Sequence, residues 1–314
     1  MVPVAEDAIS VLERFGDHCS LAKAWRLLGT VHGMGCQYGR AEDAVRRAVE
    51  ESRLAGDRRQ ELQNLPSYAL TAAYGPMPVP EAIRRCEEIL AEAKGDKRAE
   101  ALVLCALSHL LGLAGRFDEA RELYRRSRAM YVELGLRVNA ALVSLDSGVV
   151  EMLAGDPGVA ERELRADYEA LDAMGDRNYL STAAGLLAQA PHALGRDDEA
   201  ERFTWISEQT SAPDDVNSEV EWRSARAKVL AGRGALAEAE TLAREAVRLA
   251  MGTDFLEVQG NALMDLAAVL GRHDQPGAAA AIRQALVLHE RKGNVVSAER
   301  ARMCLATVVS GARD

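Results

Sequence analysis

"AGRFDEARELYRRS" spans residues 114–127, and near copies of it recur along the chain. "YGRAEDAVRRAVEES" starts at Tyr38, "LGRDDEAERFTWIS" at Leu194 and "RGALAEAETLAREA" at Arg233. Taking the alanine that ends each glycine-led turn as a marker gives Ala44, Ala82, Ala120, Ala160, Ala200, Ala239 and Ala279, a period of 38–40 residues. A second mark falls where a helix should stop, at Gly56, Gly95, Gly135, Gly175, Gly252 and Gly293, with Pro213 fifth in that series. Two interleaved marks at one period indicate seven helix–turn–helix copies.

Each mark has a physical reason. Glycine beyond a helix end adopts the left-handed conformation at little cost. Asp or Glu after the turn sits at the positive end of the next helix dipole. The marker alanine is small because two helices are expected to cross closely there. Between marks the apolar residues keep helical spacing: Ala120, Leu123, Tyr124 and Ser127, then Met130, Tyr131 and Leu134. No segment alternates as a strand would, and "PMPVP" at 76–80 reads as a stretched turn inside the second repeat.

The expected fold is therefore all-α: a right-handed superhelical solenoid of about seven repeats, forming one domain over residues 1–314. Residues 1–15 and 295–309 are expected as terminal helices, because an uncapped repeat face would aggregate. Trp25, Leu28, Gly29 and His32 follow the order of tetratricopeptide helix A, as do Leu104, Leu107, Ser108 and Leu111 ahead of Gly115 and Ala120. Longer HEAT-like repeats are the rival, and the "GRFDEA" turn favours tetratricopeptide.

Composition narrows the function. The chain is 48% apolar and 27% charged, so it can bury a large core and is not disordered. Its formal charge of −10, with no basic cluster, disfavours nucleic acid as a partner. No apolar run approaches a membrane span. Five dispersed cysteines without C-x-x-C spacing read as reduced thiols in the cytoplasm. Five lysines against 33 arginines suggest a GC-rich bacterial genome.

Longer stretches carry a resemblance. "SAPDDVNSEVEWRSARAKVLAGRGALAEAETLAREAVRLAMGTDFLEVQGNALMDLAAVL" (211–270), "ALVLHERKGNVVSAERARMCLA" (285–306), "LAKAWRLLGTVHGMGCQYGRAEDAVRRAVE" and "YGPMPVPEAIRRCEEILAEA" resemble the C-terminal tetratricopeptide region of large actinobacterial signalling proteins. In those proteins a class III adenylate/guanylate cyclase and a signal-transduction ATPase precede the array. The resemblance implies a regulatory array acting through a partner, with the ATPase or cyclase part of a larger protein as one candidate. The chain has no G-x-x-x-x-G-K-[ST] phosphate loop, so no catalytic residue carries over and neither ATP hydrolysis nor a cofactor is expected.

His32 with Cys36, and Cys105 with His109, stand at i, i+4, as metal ligands on one helix face would. Each pair lacks a third ligand in sequence, so burial in helix packing is expected and zinc is not. Asp197–Asp198 and Asp214–Asp215 fall where helices should begin, so capping explains them without acid–base catalysis. Trp222 reads as either a packing residue or a ligand contact.

Helix A of each repeat should line the concave face. In register, that lining is Lys23, Arg26, Thr30 and Met34; Cys105 and His109; Leu145, Val149 and Met152; Thr182, Gln189 and His192; Glu221, Ser224 and Lys228; and Asn261 and Met264. The expected function is a non-catalytic regulatory scaffold that holds a protein or peptide partner by apolar anchors and charged clamps. The alternative is a receptor for a small molecule or peptide. An open channel would favour the scaffold, and an enclosed pocket with convergent polar groups the receptor.

Overall fold

The computed structural model describes residues 1–212 and 214–311. The Pro213 mark lies outside the described residues. Those residues form sixteen α-helices and no strand. Helix α1 is Val2–Phe15. Seven helix pairs follow: α2 His18–Met34 with α3 Tyr38–Leu54, α4 Arg58–Tyr74 with α5 Val79–Glu92, α6 Lys97–Leu113 with α7 Phe117–Glu133, and α8 Arg137–Ala154 with α9 Pro157–Met174. The remaining pairs are α10 Arg177–Ala193 with α11 Asp197–Thr210, α12 Val216–Gly232 with α13 Leu236–Met251, and α14 Leu256–Leu270 with α15 Gln275–Lys292. Helix α16, Val295–Gly311, closes the stack. The two end helices are where the sequence puts them, and "PMPVP" is the turn into α5.

Most helix A members start in the same way. Asp57, Asp96 and Asp215 accept the backbone N–H of Gln60 at 3.0 Å, Ala99 at 2.9 Å and Ser218 at 3.2 Å, and Asp17 and Asp176 cap α2 and α10 in the same manner. Each such cap fills one orphan donor, worth about 1 kcal/mol. A glycine turning left-handed stands before several of them, as Gly175 does at φ 71° before Asp176.

Two departures from the punctuation matter. In the first repeat the left-handed residue is Cys36, at φ 51°, and α3 begins at Tyr38. The "GR" at 39–40 lies inside the helix, so the fourth helical position is Ala41, not Ala44. In the last pair it is Ala278, not Ala279. At the end of α13, Gly252 keeps an ordinary φ of −76° instead of turning left-handed. The chain there continues into a loop that touches the first repeat.

Small residues set the helix spacing. Ala120, Ala160, Ala200 and Ala239 are each 0% exposed. A Cβ on Gly148 of α8 would stand 2.7 Å from Leu164 of α9, closer than carbon atoms pack.

The superhelix turns far enough that its last repeat meets its first ones. Asp254, between α13 and α14, accepts the N–H of Tyr38 at 2.6 Å and of Gly39 at 2.7 Å. Gln37 donates to the Gly252 carbonyl at 2.8 Å. Lys292, at the end of α15, donates to the carbonyls of Gly75 at 2.7 Å, Met77 at 2.9 Å and Ala72 at 3.2 Å, capping α4. Arg300 of α16 donates to the Leu153 carbonyl at 2.8 Å. Tyr38, Tyr74 and Phe255 pack their rings together at the seam, Tyr38 edge-on to Phe255 at 5.3 Å.

Candidate functional site

Closure at this seam turns the concave groove into a cavity of about 720 Å³. That volume lies within the range of ligand pockets, about 300–1,000 Å³. One wall is apolar: Leu102 of α6, Leu142, Leu145, Val149 and Met152 of α8, and Leu186 of α10. The opposite wall is polar, from Gln189 of α10, through Asn217, Glu221, Ser224 and Lys228 of α12, to Asn261 and Asp265 of α14. The division follows from sequence, since the inward face of α8 is aliphatic and that of α12 is mostly polar.

The structure brings most of the sequence-predicted lining together around this space. Thr30, Met34, Cys105, His109, Leu145, Val149 and Met152 line it. So do Thr182, Gln189, Glu221, Ser224, Lys228, Asn261 and Met264.

Four residues do not. Lys23 and Arg26 are exposed on α2 outside the cavity, because only the C-terminal part of α2 reaches it. His192 sits at the end of α10 with its Nδ1 2.8 Å from Asp197 Oδ1, engaged at the turn. Trp222 is 4% exposed, with the guanidinium groups of Arg223 and Arg226 at 4.1 and 4.5 Å from its ring centre. Arg226 also stacks on Trp205 of α11 at 3.7 Å, so Trp222 belongs to the α11–α12 contact, not the cavity. Lys228 lines the cavity, but its charge is already engaged. Its ammonium pairs with Asp265 at 2.8 Å and donates to Gln189 Oε1 at 2.6 Å.

His109 is the centre of the seam. Its Nε2 lies 2.9 Å from Glu257 Oε2 of α14, a residue 148 positions away. Its Nδ1 lies 3.2 Å from Asp146 Oδ1 of α8, an ion pair short of an aligned hydrogen bond. Asp146 also accepts from the Tyr74 hydroxyl at 2.7 Å and from the Cys105 thiol at 3.0 Å. Burial alone would lower the imidazole pKa, but the charge of Glu257, the close contact with Asp146 and the Glu257 hydrogen bond override it and lift it to about 10. His109 is therefore a buried cation at neutral pH. Burial raises the Glu257 pKa, but His109 more than offsets this and holds it below the usual carboxylate range. Burial and the charge of Asp146 push the Cys105 thiol well above its ordinary value, so it stays a thiol. Cys105 and His109 are thus buried, as expected, but in an ionic network and not in bland helix packing. Among the described residues no group of three or more His, Cys, Asp or Glu side chains is arranged to hold a metal ion.

Sequence reasoning missed Tyr38, Tyr74, Asp146, Phe255 and Glu257. Their partners lie one superhelical turn away, and no local pattern carries that distance. One signal was present: Asp146 is a lone acid in the apolar stretch "LVSLDSGVV", and Glu257 stands among apolar neighbours in "FLEV". A buried acid requires a cation or hydrogen bonds.

The geometry defines a tetratricopeptide-type solenoid whose ends meet around a half-open concave cavity. Known proteins agree on that fold. The complex of a Rap protein with competence and sporulation factor matches 99% of this chain and 98% of its own, at TM-score 0.54 and 10% identity. The quorum sensor NprR bound to its cognate peptide NprX matches 95% of this chain and 88% of its own, at TM-score 0.59 and 13% identity. A Signal Transduction ATPase with Numerous Domains (STAND) protein with a tetratricopeptide repeat sensor, from Pyrococcus horikoshii, matches 98% of this chain and 49% of its own, at TM-score 0.55 and 10% identity. No protein-family model matches the chain, and no curated protein matches it. Among the described residues no helix is long and apolar enough to cross a membrane.

Proposed function

We propose that the chain is a non-catalytic regulatory receptor that takes a peptide or small molecule into its concave cavity. The observation that carries this reading is the closure of the groove. Its apolar side chains and convergent polar groups line a half-open volume of about 720 Å³. This favours a ligand held inside over a protein laid along an open channel. The proposed contacts are Met34, Cys105, His109, Leu145 and Met152 with Gln189, Glu221, Lys228 and Asn261, all of which line the cavity. Rap and NprR, which share the fold, are each solved with a bound factor or peptide, and the STAND protein's array is described as a sensor. Those facts belong to those proteins and support the reading by analogy of fold.

The same reading gives the array a role in signalling. Through its sequence resemblance it is the sensor part of a cyclase–ATPase regulator, a single repeat domain whose ligand state biases the attached machinery. Closure offers a means, because a ligand favouring the closed seam shifts the balance between closed and open forms by its differential affinity.

The test is a thermal-shift screen of short peptides and bacterial metabolites, followed by hydrogen exchange with each hit. A hit should slow exchange in α8, α12 and α14 together. Protection confined to the outer helices α9, α11 and α13 would place the ligand elsewhere and overturn the proposal.

A further inference from the structure

The carboxylates of the cavity are not equivalent. Asp265 is paired with Lys228 at 2.8 Å, and Asp146 and Glu257 share His109. Asp215 caps α12 and accepts from the Ser218 hydroxyl. Glu221 is different. Among the described residues no cation pairs with it, and its recorded hydrogen bond comes from Gln189 Nε2 at 3.1 Å. That amide is itself engaged by Lys228 through its oxygen. Glu221 thus ends a chain that runs from Asp265 through Lys228 and Gln189, with capacity for at least one further donor.

Two neighbours on α12 share its condition. Asn217 lies one turn before it and Ser224 one turn after, so the three side chains share a helix face. Among the described residues Asn217 Oδ1 and Ser224 Oγ, both buried, have no hydrogen-bond partner, and Ser224 is only 2% exposed. All three residues line the cavity. Buried acceptors without donors are costly, about 1–3 kcal/mol each, unless something fills them. The cavity lining also carries more acid than base: Asp146, Asp215, Glu221, Glu257 and Asp265 against protonated His109, Lys228 and Arg300.

Resting on the receptor reading above, we propose that Glu221, with an unfilled acceptor one helical turn to either side, seats a primary ammonium group. An ammonium has three donors on one point charge; the Glu221 carboxylate takes the charge, and Asn217 or Ser224 takes a further donor. The rest of the ligand lies across the cavity against Leu145, Val149 and Met152. A peptide amino terminus and a small aliphatic or aryl amine share this chemistry. Burial lifts the Glu221 pKa to about 7, the charge of Asp265 adding to it and Gln189 and Lys228 opposing it, so near neutrality the empty seat is partly protonated. Arrival of an ammonium releases that proton.

The experiment titrates the whole chain calorimetrically with 3-phenylpropylamine, 3-phenylpropanol and 3-phenylpropanoate, and with leucyl-valyl-leucinamide in free and N-acetylated forms. The amine is expected to bind at least tenfold more tightly than the alcohol and the acid, and the free peptide more tightly than the acetylated one. If the peptide outbinds the small amine, the source is a peptide terminus; the reverse order assigns a small-molecule amine. At pH 7, amine binding in phosphate and in Tris should differ in enthalpy, by release of a fraction of a proton. E221Q should lose both the tenfold preference and the proton release while still binding the alcohol. Wild-type amine affinity should also rise from pH 6 to pH 8, a readout that needs no variant. Alcohol or acid binding as tightly as the amine overturns this seat and leaves the cavity reading standing. If none of the five compounds binds, both fall.

Discussion

Replacing His109 with glutamine tests the seam most sharply. Glutamine keeps a hydrogen-bonding side chain of similar reach but removes the cation between Asp146 and Glu257. All three side chains are buried, at 3%, 8% and 5% exposure. Removing one partner of a buried ionic cluster costs about 3–5 kcal/mol, because the remaining charges have neither solvent nor a counter-ion. The raised imidazole pKa has the same sign, favouring the folded, protonated state. The direction with pH follows from the folded value lying above the unfolded one. His109's contribution is full below pH 6.5 and is lost as pH rises through about 10. The assay is urea denaturation of wild type and H109Q at pH 6.5 and pH 10, followed by circular dichroism. The stability gap should be about 3–5 kcal/mol at the lower pH and distinctly smaller at the higher. A gap under about 1 kcal/mol at pH 6.5, within the range of ordinary hydrogen-bond changes, would show that His109 is neutral in the fold and that the seam is not an ionic latch.

Asp254→Ala removes the acceptor of two backbone N–H groups at the start of α3. It should cost about 1.5–3 kcal/mol and raise hydrogen exchange at Tyr38 and Gly39. Ala120→Leu forces a branched side chain into a crossing with no free space, and should lower denaturation stability by about 1–3 kcal/mol. Arg26→Glu, on an exposed face outside the cavity, should stay within about 0.5 kcal/mol of wild type in the same assay. The Glu221 pKa is raised to about 7, so its contribution is full below pH 4.5 and lost as pH climbs to 7. Melting temperature should therefore fall more steeply over that window in wild type than in E221Q.

The fold was legible because repeats write the same instruction many times. Gly175 followed by Asp176 stops one helix and starts the next, and that logic was visible in sequence. Where the reading slipped, a local substitution hid the mark. Cys36 holds the left-handed place that glycine holds in other turns, so the nearby Gly39 misplaced the first marker by three residues. The inward faces of the helices were also readable, since helical periodicity fixes direction once one register is set. What periodicity cannot supply is the pitch of the superhelix. Whether α14 reaches α6 depends on small rotations summed over successive repeats. The pairing of His109 with Glu257, and the change from open groove to closed cavity, follow from that sum. Lys228 shows the consequence: its face was assigned correctly, but its partner Asp265 stands on the neighbouring helix A, at a position the lining pattern passed over.

Site-selective filling of the concave cavity tests most directly whether this chain binds its ligand there. The measurement is the stoichiometry and affinity of Nile red, a neutral apolar fluorophore, on wild type, Val149→Trp and Leu27→Trp. Val149 lines the cavity, whereas Leu27 is 53% exposed on the outside of α2. One saturable site is expected on wild type and on Leu27→Trp, with at least tenfold weaker binding to Val149→Trp and its helical signal intact. Undiminished binding to a folded Val149→Trp would contradict it.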